Sequence, residues 1–471
     1  MTTLTIRSKR DITDFVDTHP SGTKRTKILA FIALGGIFVD AYDFTSLGIG
    51  LDGLTRQWQL SSFELGSLTA VMAVGALLGA FVGGPLADRV GRFKLFVLDL
   101  VLFVVAAVAA GLAPNLAVLL ICRFLLGVGV GLDMPVSFAF ITEFTNRQSK
   151  GKYVNLWQSM WYIAVVTTGV IVLPFHLAGA GDDLWRWAIG FGAVPAAIVL
   201  LLRLRYTEES PMWAAHRLGL HEAAKILEKS YGITVRVDPA ADHQPRTPAT
   251  AKLSAIFAKK FRARTVLAST LSATQAAQYF AVGFYVPTIT AMLFGVGTLY
   301  TILGTIVINL FGVLGGTLQP FLTQRLGLRK LAITGYLIVA AAMVGLAAIH
   351  GTGSGYLAAL LIGALIFGHA FGPGAQGKTM AALSYPTAFR GAGMGWAESM
   401  SRVGTIIGFY LFPVVLAAVG LGQTMLYLTI VPLLGLLALA LIRWEPIGKD
   451  VETTESQEET ATTDASKSTP D

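Results

Sequence analysis

Runs of about twenty apolar residues recur along the whole of this 471-residue chain and limit its fold more than any other feature. Each run is long enough to cross the roughly 30 Å hydrocarbon core of a membrane as an α-helix. Only 14% of the residues are charged, whereas a soluble chain carries roughly 25%. The sequence therefore predicts an all-α membrane protein with twelve transmembrane helices, because a lipid-facing barrel would show short alternating strands instead. The predicted spans are about 28–50, 63–87, 95–113, 116–142, 154–177, 185–204, 264–294, 297–324, 330–350, 355–384, 392–419 and 423–443.

Basic residues concentrate on alternate connections between the predicted spans. They occupy the amino-terminal segment, Arg7 and Lys24 among them, and the connections after the second, fourth, sixth and eighth spans, whereas the other connections are nearly bare. Loops rich in Lys and Arg stay on the cytoplasmic side of a membrane. We therefore expect a multi-pass protein of the cell membrane (the inner or plasma membrane) with both termini in the cytoplasm. The net charge of +8 is then an orientation signal, not a sign of nucleic-acid binding.

The chain divides into two halves of six spans that repeat one another. LADRVGRFK at 86–94 is matched by LTQRLGLRK at 322–330, and KGKYVNLWQSM at 150–160 by RGAGMGWAESM at 390–400. Parallel repeats of six spans build the major facilitator architecture. A polar stretch separates the halves, and the acidic, Ser/Thr-rich carboxyl end has the composition of a disordered segment. The predicted parts are a cytoplasmic amino-terminal segment 1–27, a first six-helix bundle 28–204, a cytoplasmic linker 205–263, a second six-helix bundle 264–443 and a disordered cytoplasmic tail 444–471.

Four motifs resemble those of the major facilitator superfamily. GGPLADRVGRFK (83–94) is similar to the signature between the second and third spans of that superfamily, and RFLLGVG (123–129) to its fourth-helix motif. EFTNRQSKG (143–151) and TEESPMW (207–213) resemble motifs of sugar and metabolite porters. The resemblance covers essentially all twelve spans. It implies the major facilitator fold, with two six-helix bundles, and a transporter whose first and fourth helices line a central cavity.

Three further stretches resemble particular groups of proton symporters. DAYDF (40–44) and GLDMPVS (131–137) resemble phosphate:proton symporters, although the seventh span lacks the Trp and Asp that those proteins carry there. RGAGMGWAESMSRVGTIIG (390–408) looks like aromatic-acid:proton symporters and organic-ion transporters. In those proteins the arginine that matches Arg402 serves organic anions. The resemblance implies a metabolite:proton symporter.

Three carboxylates and an arginine lie inside predicted spans, where ionisable side chains normally face a bundle interior or a water-filled cavity. Asp40 and Asp43 share a face of the first helix, and Asp133 lies near the middle of the fourth. Because buried carboxylates repel one another, at least one should hold a proton, and Arg123 on the fourth helix is expected to pair with one of them. We predict that these four residues couple transport to protons. The alternative is that Asp40 or Asp43 only ties helices together.

Glu398 and Arg402 lie four residues apart on the eleventh span, in the favourable order for a helical ion pair. Either the pair is structural and neutralises itself, or Arg402 receives an anionic substrate by a bidentate contact and Glu398 competes for it. Uncharged polar and aromatic side chains complete the predicted substrate site. They are Gln158, Gln275, Gln278, Tyr285, Trp161 and Trp396.

A conformational latch is predicted where the signature after the second span meets facing helix ends. Asp88 is expected to cap or ion-pair a facing helix, because carboxylates are stabilised at helix N-termini. The matching position in the second half is Gln324, so the latch is asymmetric. The predicted latch residues are Asp88, Arg89, Gly91, Arg92, Glu143 and Arg390.

The sequence favours a proton-coupled symporter that imports a small organic anion, a carboxylate, by alternating access. A sugar or polyol symporter is the first alternative because of the porter-like motifs, and a proton-driven exporter is the second. No P-loop or nucleophile elbow points to an enzyme, and we expect neither a cofactor nor a metal. The expected partners are a small-molecule substrate, protons and the lipid bilayer, with the chain acting as a monomer.

Overall fold

The computed structural model describes residues 3–19, 24–241, 253–283, 286, 297–349, 355–449 and 451. Most of these residues are helical, and within the described ranges nine helices are long and apolar enough to cross a membrane. Two long helices each bend at a glycine with positive φ. Thr298–Ala348 bends at Gly327, and Arg390–Leu428 bends at Gly420, both with φ of 76°. With these bends, the described helices form twelve spans.

The spans are numbered 1 to 12 in chain order. Spans 1 to 6 are Lys24–Trp58, Ser62–Val90, Arg92–Gly111, Leu116–Phe144, Lys150–Leu177 and the pair Leu184–Phe191 with Ala193–Tyr206. Spans 7 to 12 are Arg262–Gln278 with the π-helical turn Tyr279–Gly283, then Thr298–Ala348 (spans 8 and 9), Gly355–Phe371 with Pro373–Ala382, and finally Arg390–Leu428 with Ile430–Leu441 (spans 11 and 12). The amino-terminal segment, the connection between spans 6 and 7 and the end of span 12 lie at one end of the helices, which we call the linker face.

Glycines allow the helices to approach closely both within and between the bundles. A Cβ added to Gly127 of span 4 would lie 2.1 Å from the Met72 carbonyl oxygen of span 2. Across the bundles, a Cβ added to Gly84 of span 2 would lie 2.1 Å from the Gly391 carbonyl oxygen of span 11. Small residues let membrane helices pack backbone against backbone. The second contact holds the two bundles together near the linker face.

The two halves repeat one contact at the linker face. Gly91 precedes span 3 with φ of 107°, and a Cβ there would lie 2.2 Å from a carboxylate oxygen of Glu209. Gly327 and Glu445 stand the same number of residues further along the chain, and a Cβ on Gly327 would lie 2.5 Å from the Glu445 carboxylate. Both carboxylates accept hydrogen bonds from backbone N–H groups that begin spans 3 and 9, where the helix dipole favours negative charge. The repeat read from the sequence is therefore also a repeat of atomic contacts.

The amino-terminal segment and the linker fold together into a small cap on the linker face. Strand β1 (Thr3–Ile6) pairs in parallel with strand β2 (Thr234–Val237) of the linker. The helix Lys9–Thr18 packs on the linker helices Pro211–Arg217 and Leu220–Tyr231, and their buried apolar side chains form a cluster separate from that of the spans. The connection predicted between the two bundles is thus partly folded, and it holds the amino-terminal segment.

The residues that follow span 12 contact the second bundle. The Arg264 guanidinium lies 3.9 Å from the centre of the Trp444 ring, and Glu445 accepts a hydrogen bond from the backbone of Arg329. The structure therefore differs from the predicted disordered tail at its first residues, because an aromatic ring and a helix-capping carboxylate anchor them. Residues 452–471 lie outside the described ranges.

Candidate functional site

A cavity lies between the two bundles, bounded by spans 1 and 5 of the first half and spans 7 and 8 of the second. Four aromatic rings form much of its wall, and its other lining residues are small, aliphatic or uncharged and polar. The four aromatic residues are Phe44, Trp161, Tyr279 and Phe280. Trp161, which the sequence predicts for a substrate site, lines this cavity, and Phe44, Tyr279 and Phe280 line it beside Trp161.

Four side chains of the cavity wall donate hydrogen bonds to other protein groups. The side chains of Thr45, Thr305 and Asn309 each donate to a backbone carbonyl of their own helix, at 2.8 Å. Trp161 Nε1 donates to the Tyr279 hydroxyl at 3.2 Å. The wall therefore combines aromatic ring faces with a few hydroxyl and amide groups.

Arg123 of span 4 forms an ion pair with Asp43 of span 1. The distance between Arg123 Nη1 and Asp43 Oδ2 is 2.5 Å, and both side chains are 1% exposed. The pairing of Arg123 with one of the intramembrane aspartates is as expected from the sequence. Asp43 Oδ1 has no hydrogen-bond partner among the described residues, so this carboxylate can also accept a proton.

A second buried arginine, absent from the sequence-based site, holds Asp133. Arg203 Nη2 lies 2.5 Å from Asp133 Oδ1, and Arg203 Nη1 lies 3.2 Å from Asp99 Oδ2. Gly36 of span 1 makes room for this cluster, because a Cβ there would lie 2.2 Å from the Asp133 carboxylate. Two carboxylates thus share one guanidinium inside the first bundle. A buried cluster of this kind carries an excess negative charge unless it takes up a proton.

Asp40 lies between the charged groups of the two bundles. It is 2% exposed, and its Oδ2 has no hydrogen-bond partner in the described part of the chain. The charges that act on it come from Asp133 and Arg203 of the first bundle and from Glu398 and Arg402 of the second. Asp40 is therefore the predicted carboxylate that interacts with both halves.

The second bundle carries two cations around one carboxylate. Glu398 lies 2.5 Å from Arg402 Nη2 and 2.7 Å from Lys378 Nζ, and all three side chains are buried. Arg402 also lies over the ring of Phe44, 5.6 Å from its centre, and its Nε has no hydrogen-bond partner among the described residues. The predicted ion pair between Glu398 and Arg402 is present, but Lys378 leaves the group with an excess positive charge.

The uncharged residues predicted for the substrate site fall into different places. Gln275 donates to Ser401 at 3.2 Å, and Gln278 bonds His369 at 3.2 Å. Gln158 is buried at the interface, and its Oε1 has no partner among the described residues.

Two of the aromatic residues predicted for the substrate site, Trp396 and Tyr285, are not among the described residues that line the cavity. Trp396 donates to Ser269 at 2.8 Å and packs on Phe257, so it lies away from the lining of this cavity. Its position on span 11 turns it toward span 7 and the segment before it. Tyr285 lies outside the described residues.

The predicted latch joins the two bundles at the linker face. Asp88 accepts hydrogen bonds from the backbone N–H groups of Gly391 and Ala392, at 3.2 and 2.9 Å, and so caps the start of span 11. Glu143 pairs with Arg92 at 2.8 Å and with Arg390 at 3.3 Å across the bundles. The carboxylates of the first half thus bind the beginning of a helix in the second.

Two predicted latch residues lie apart from these contacts. Arg89 is exposed at the end of span 2, so its predicted place in the buried latch is not seen. Gly91 lies beside the Glu209 carboxylate and shapes the turn into span 3.

Asn155 of span 5 forms a further interface, which the sequence did not reveal. Its side chain donates to Thr323 at 2.9 Å and accepts from Thr379 at 2.5 Å, while its backbone carbonyl accepts from Gln319 at 2.9 Å. All three partners belong to the second bundle. Together with the latch, this network closes the linker face of the described structure.

Known proteins resemble this chain along almost its full length. The chain is 27% identical to the inner membrane metabolite transport protein YgcS of Escherichia coli over 89% of its length and 91% of that protein. It is 25% identical to the niacin transporter NiaP of Acinetobacter baylyi, with 94% and 99% covered. The structure matches the proton:xylose symporter XylE of E. coli with a TM-score of 0.78 at 21% identity, covering 92% and 98% of the two chains. This match shows the fold.

The family model "Sugar (and other) transporter" matches residues 14–456. The match covers both bundles and the linker. Together with the XylE fold, this family match confirms the predicted major facilitator fold. It also confirms the prediction that the protein is a transporter and not an enzyme. The chain belongs to the sugar (and other) transporter family of the major facilitator superfamily.

Proposed function

We propose that the protein is a proton-coupled symporter that imports a small organic carboxylate across the cell membrane. The observation that supports this proposal most directly is the arrangement of buried charges. Two cations and one carboxylate on the second bundle face the aspartates of the first. The excess positive charge lies at Lys378, Glu398 and Arg402. The excess negative charge lies among Asp40 and the aspartates that share Arg203.

The positive group suits an anion. Arg402 presents a planar guanidinium that can bind a carboxylate by two parallel hydrogen bonds, and its Nε has no partner among the described residues. Glu398 already forms an ion pair with Arg402, so an incoming carboxylate would have to displace Glu398 from the guanidinium. Lys378, 2.7 Å from Glu398, would then hold the displaced side chain.

Protons would remove the repulsion that this anion meets from the first bundle. Asp40 is the carboxylate whose charge interacts with Arg402 from across the interface. A proton on Asp40 leaves the anion with attractive partners, and proton and substrate must then favour each other's binding to the same degree. Asp43, paired with Arg123, is the second candidate to carry a proton through the cycle.

The closed linker face fits one state of alternating access. The latch and the Asn155 network join the bundles on that face, while the cavity lies between spans 1, 5, 7 and 8. With the basic linker face in the cytoplasm, this state would receive substrate from outside. A cytoplasm-dependent reporter fused to the carboxyl end tests the orientation, and an inactive but inserted fusion would contradict it.

The rings around the cavity favour a flat substrate. Phe44 lines the cavity and also lies against Arg402, so a carboxylate held by Arg402 would place the rest of its molecule among the four rings. Ring faces attract other rings by about 0.5–1.5 kcal/mol for each pair. The relative NiaP is named a niacin transporter, and niacin is a flat carboxylate of this kind.

A sugar or polyol remains the second candidate, and one observation favours it. Gln158 Oε1 and Gln278 Oε1 are buried without hydrogen-bond partners among the described residues. Such groups suit the hydroxyls of a sugar, since buried polar groups normally find partners. The neighbour XylE is described as a proton:xylose symporter. A proton-driven exporter would use the same geometry in the opposite direction.

Uptake into proteoliposomes with an imposed pH gradient would separate these candidates. The panel contains nicotinate, benzoate, acetate, xylose and glucose, and both gradient directions are imposed. We expect uptake of a carboxylate that follows inward proton flow. Arg402→Lys should weaken binding by about tenfold, because one hydrogen bond to a charged group contributes about 1.5–3 kcal/mol, and Arg402→Ala should nearly abolish it.

The exposed Arg443 supplies the matched control, since Arg443→Ala removes the same charge at the end of span 12. Uptake of a neutral sugar that Arg402→Ala leaves unchanged would refute the carboxylate proposal and support the sugar candidate. Substrate efflux driven by proton entry would identify an exporter.

A further inference from the structure

Asp17 connects the amino-terminal segment to the first bundle. It lies at the carboxyl end of the helix Lys9–Thr18 and is 8% exposed. Its carboxylate lies 2.5 Å from Lys150 Nζ and 3.1 Å from Arg147 Nη2, and the Arg147 backbone N–H donates to its carbonyl at 3.1 Å. Arg147 belongs to the connection between spans 4 and 5, and Lys150 is the first residue of span 5. One acid of the amino-terminal segment thus binds two cations beside the latch.

The same acid lines a small cavity where the two bundles meet at the linker face. Arg147 and Lys150 line it from the first half, and Arg390 and Lys449 line it from the second. Among the described residues around this cavity, Asp17 is the one acid. Closing the linker face therefore brings cations of both halves together around Asp17.

The negative charge of Asp17 offsets the repulsion between the cations that closure of the linker face brings together. Like charges brought to within several ångströms repel strongly where water is excluded, and an acid between them reverses the sign of the interaction. Glu143 already binds Arg390 at 3.3 Å, and the Asp17 carboxylate lies against both Lys150 and Arg147. Without Asp17, the approach of Arg390 to Lys150 would cost free energy.

Asp17 keeps its position because the segment that carries it is docked on the linker. We call residues 3–18 the amino-terminal clamp. The clamp adds strand β1 to β2 and buries Ile6, Ile12 and Val16 against linker residues that include Trp213 and Leu227. The clamp is therefore held by the linker as well as by the ion pairs of Asp17.

The linker cap that holds the clamp also contacts the latch. Trp213 Nε1 and Arg217 Nε both donate to the Asp88 backbone carbonyl, at 2.9 and 3.2 Å. Met212 of the same helix lies 3.7 Å from the hydroxyl of Thr387, in the second half. The clamp, the cap and the latch thus form one continuous set of contacts across both bundles.

We propose that the amino-terminal clamp stabilises the state in which the linker face is closed, with Asp17 as the positioning residue. Docking places the Asp17 carboxylate between cations that closure brings together. Release of the clamp shifts the equilibrium toward the state in which the linker face is open. This role concerns the switch between states and holds for any substrate.

Thiol labelling of the full-length protein in nanodiscs tests the proposal. Ala382 lines the cavity and is 1% exposed, so Ala382→Cys in a Cys122→Ser background reports opening by its rate of reaction with a maleimide. We expect Asp17→Asn to raise this rate at least about fivefold, the lower end of typical coupling between sites. Deletion of residues 1–18 should raise it at least as much, and Asp17→Glu should restore the slow rate.

Asp238→Asn is the matched control. Asp238 forms an ion pair with Arg7 of the clamp at 3.5 Å, yet both side chains are partly or largely exposed and neither lines the cavity. In the Asp238→Asn variant, the cysteine of Ala382→Cys should react with the maleimide at the same rate as in the parent protein. An unchanged rate in both Asp17→Asn and the deletion would overturn the proposal. A fast labelling rate in the deletion alone would overturn the role of Asp17. A fast labelling rate in Asp17→Glu would overturn the electrostatic explanation, because the shape of the Asp17 side chain and not its charge would then control closure.

Discussion

Arg123 Nη1 lies 2.5 Å from Asp43 Oδ2, with both side chains buried. Asp40 stands three residues earlier on the same helix, yet its Oδ2 has no hydrogen-bond partner among the described residues. The two aspartates that the sequence groups together therefore have different surroundings. Asp43 belongs with an arginine of its own bundle, whereas Asp40 interacts with charges of both bundles. We expect them to act at different steps of transport.

Asp43→Asn should abolish accumulation driven by a pH gradient while sparing exchange of labelled for unlabelled substrate. The amide can neither bind nor release a proton, and it does not alter the residues that line the cavity or form the latch. Transport assays in proteoliposomes measure both activities. Asp52→Asn, which alters an exposed carboxylate near the far end of the same helix, should behave as the parent. Gradient-driven accumulation by Asp43→Asn would exclude a coupling role for Asp43 and leave Asp40 as the proton carrier.

Arg203→Met should lower the free energy of unfolding by about 3–5 kcal/mol, the usual cost of removing one partner from a buried ion pair. The change leaves Asp99 and Asp133 buried without their shared cation. Thermal unfolding in detergent measures the loss, with Arg205→Met, at an exposed arginine of the same helix, as the control. Adding Asp99→Asn and Asp133→Asn should recover much of the stability. A triple variant no more stable than Arg203→Met would argue that the cost is lost packing.

The sequence was informative where physical chemistry restricts the residue strongly. A charge inside an apolar span is costly, so Asp40, Asp43 and Asp133 were recognisable, and helical spacing sufficed to pair Glu398 with Arg402. The same signal was present for Asp99 and Arg203, which fall within predicted spans. A search for every intramembrane charge, rather than for motifs, would have found this pair.

Other parts of the site depend on contacts that no local pattern contains. Trp396 faces Ser269 and Phe257, because the rotation of span 11 about its axis decides which side meets the cavity. Asn155 is one polar residue among many until Thr323 and Thr379 are brought to it from the second half. The pairing of β1 with β2 joins segments that are distant in the chain. Such contacts follow from tertiary packing.

Asp88→Asn should weaken closure of the linker face by about tenfold or more, with little change in substrate affinity. The carboxylate accepts two backbone hydrogen bonds at the start of span 11, and each bond to a charged group contributes about 1.5–3 kcal/mol. The labelling rate of Ala382→Cys reports opening, and equilibrium binding reports affinity. Arg89→Gln removes an exposed neighbouring charge and should change neither. A large loss of binding with unchanged labelling would place Asp88 in the substrate site.

Gly91→Ala and Gly327→Ala should destabilise the protein by similar amounts, because each places a Cβ against a helix-capping carboxylate. Gly420→Ala isolates the cost of the backbone conformation, since its φ of 76° and ψ of 170° are close to those of Gly327 and nothing lies within 4 Å of the added Cβ. That cost is about 1 kcal/mol, and the two repeat positions should exceed it. Thermal unfolding measures all three. Equal losses at all three positions would mean that the carboxylates move aside freely.

Docking of the amino-terminal clamp should weaken as the pH falls below about 6.5, the ordinary pKa of histidine. His19 follows the clamp helix and packs against Phe15 and Tyr231, and burial lowers the pKa of its imidazole. The docked state therefore binds a proton less readily than the released state. The stability of the docked state is fully present above the ordinary pKa and declines as the pH falls from there toward the lowered value.

Spin labels at Arg10→Cys and Lys225→Cys, in a Cys122→Ser background, would follow the distance between clamp and linker across this pH range. His19→Gln should remove the pH dependence, whereas His221→Gln, at an exposed position of the linker helix, should retain it. A pH dependence that survives in His19→Gln would assign it to another group.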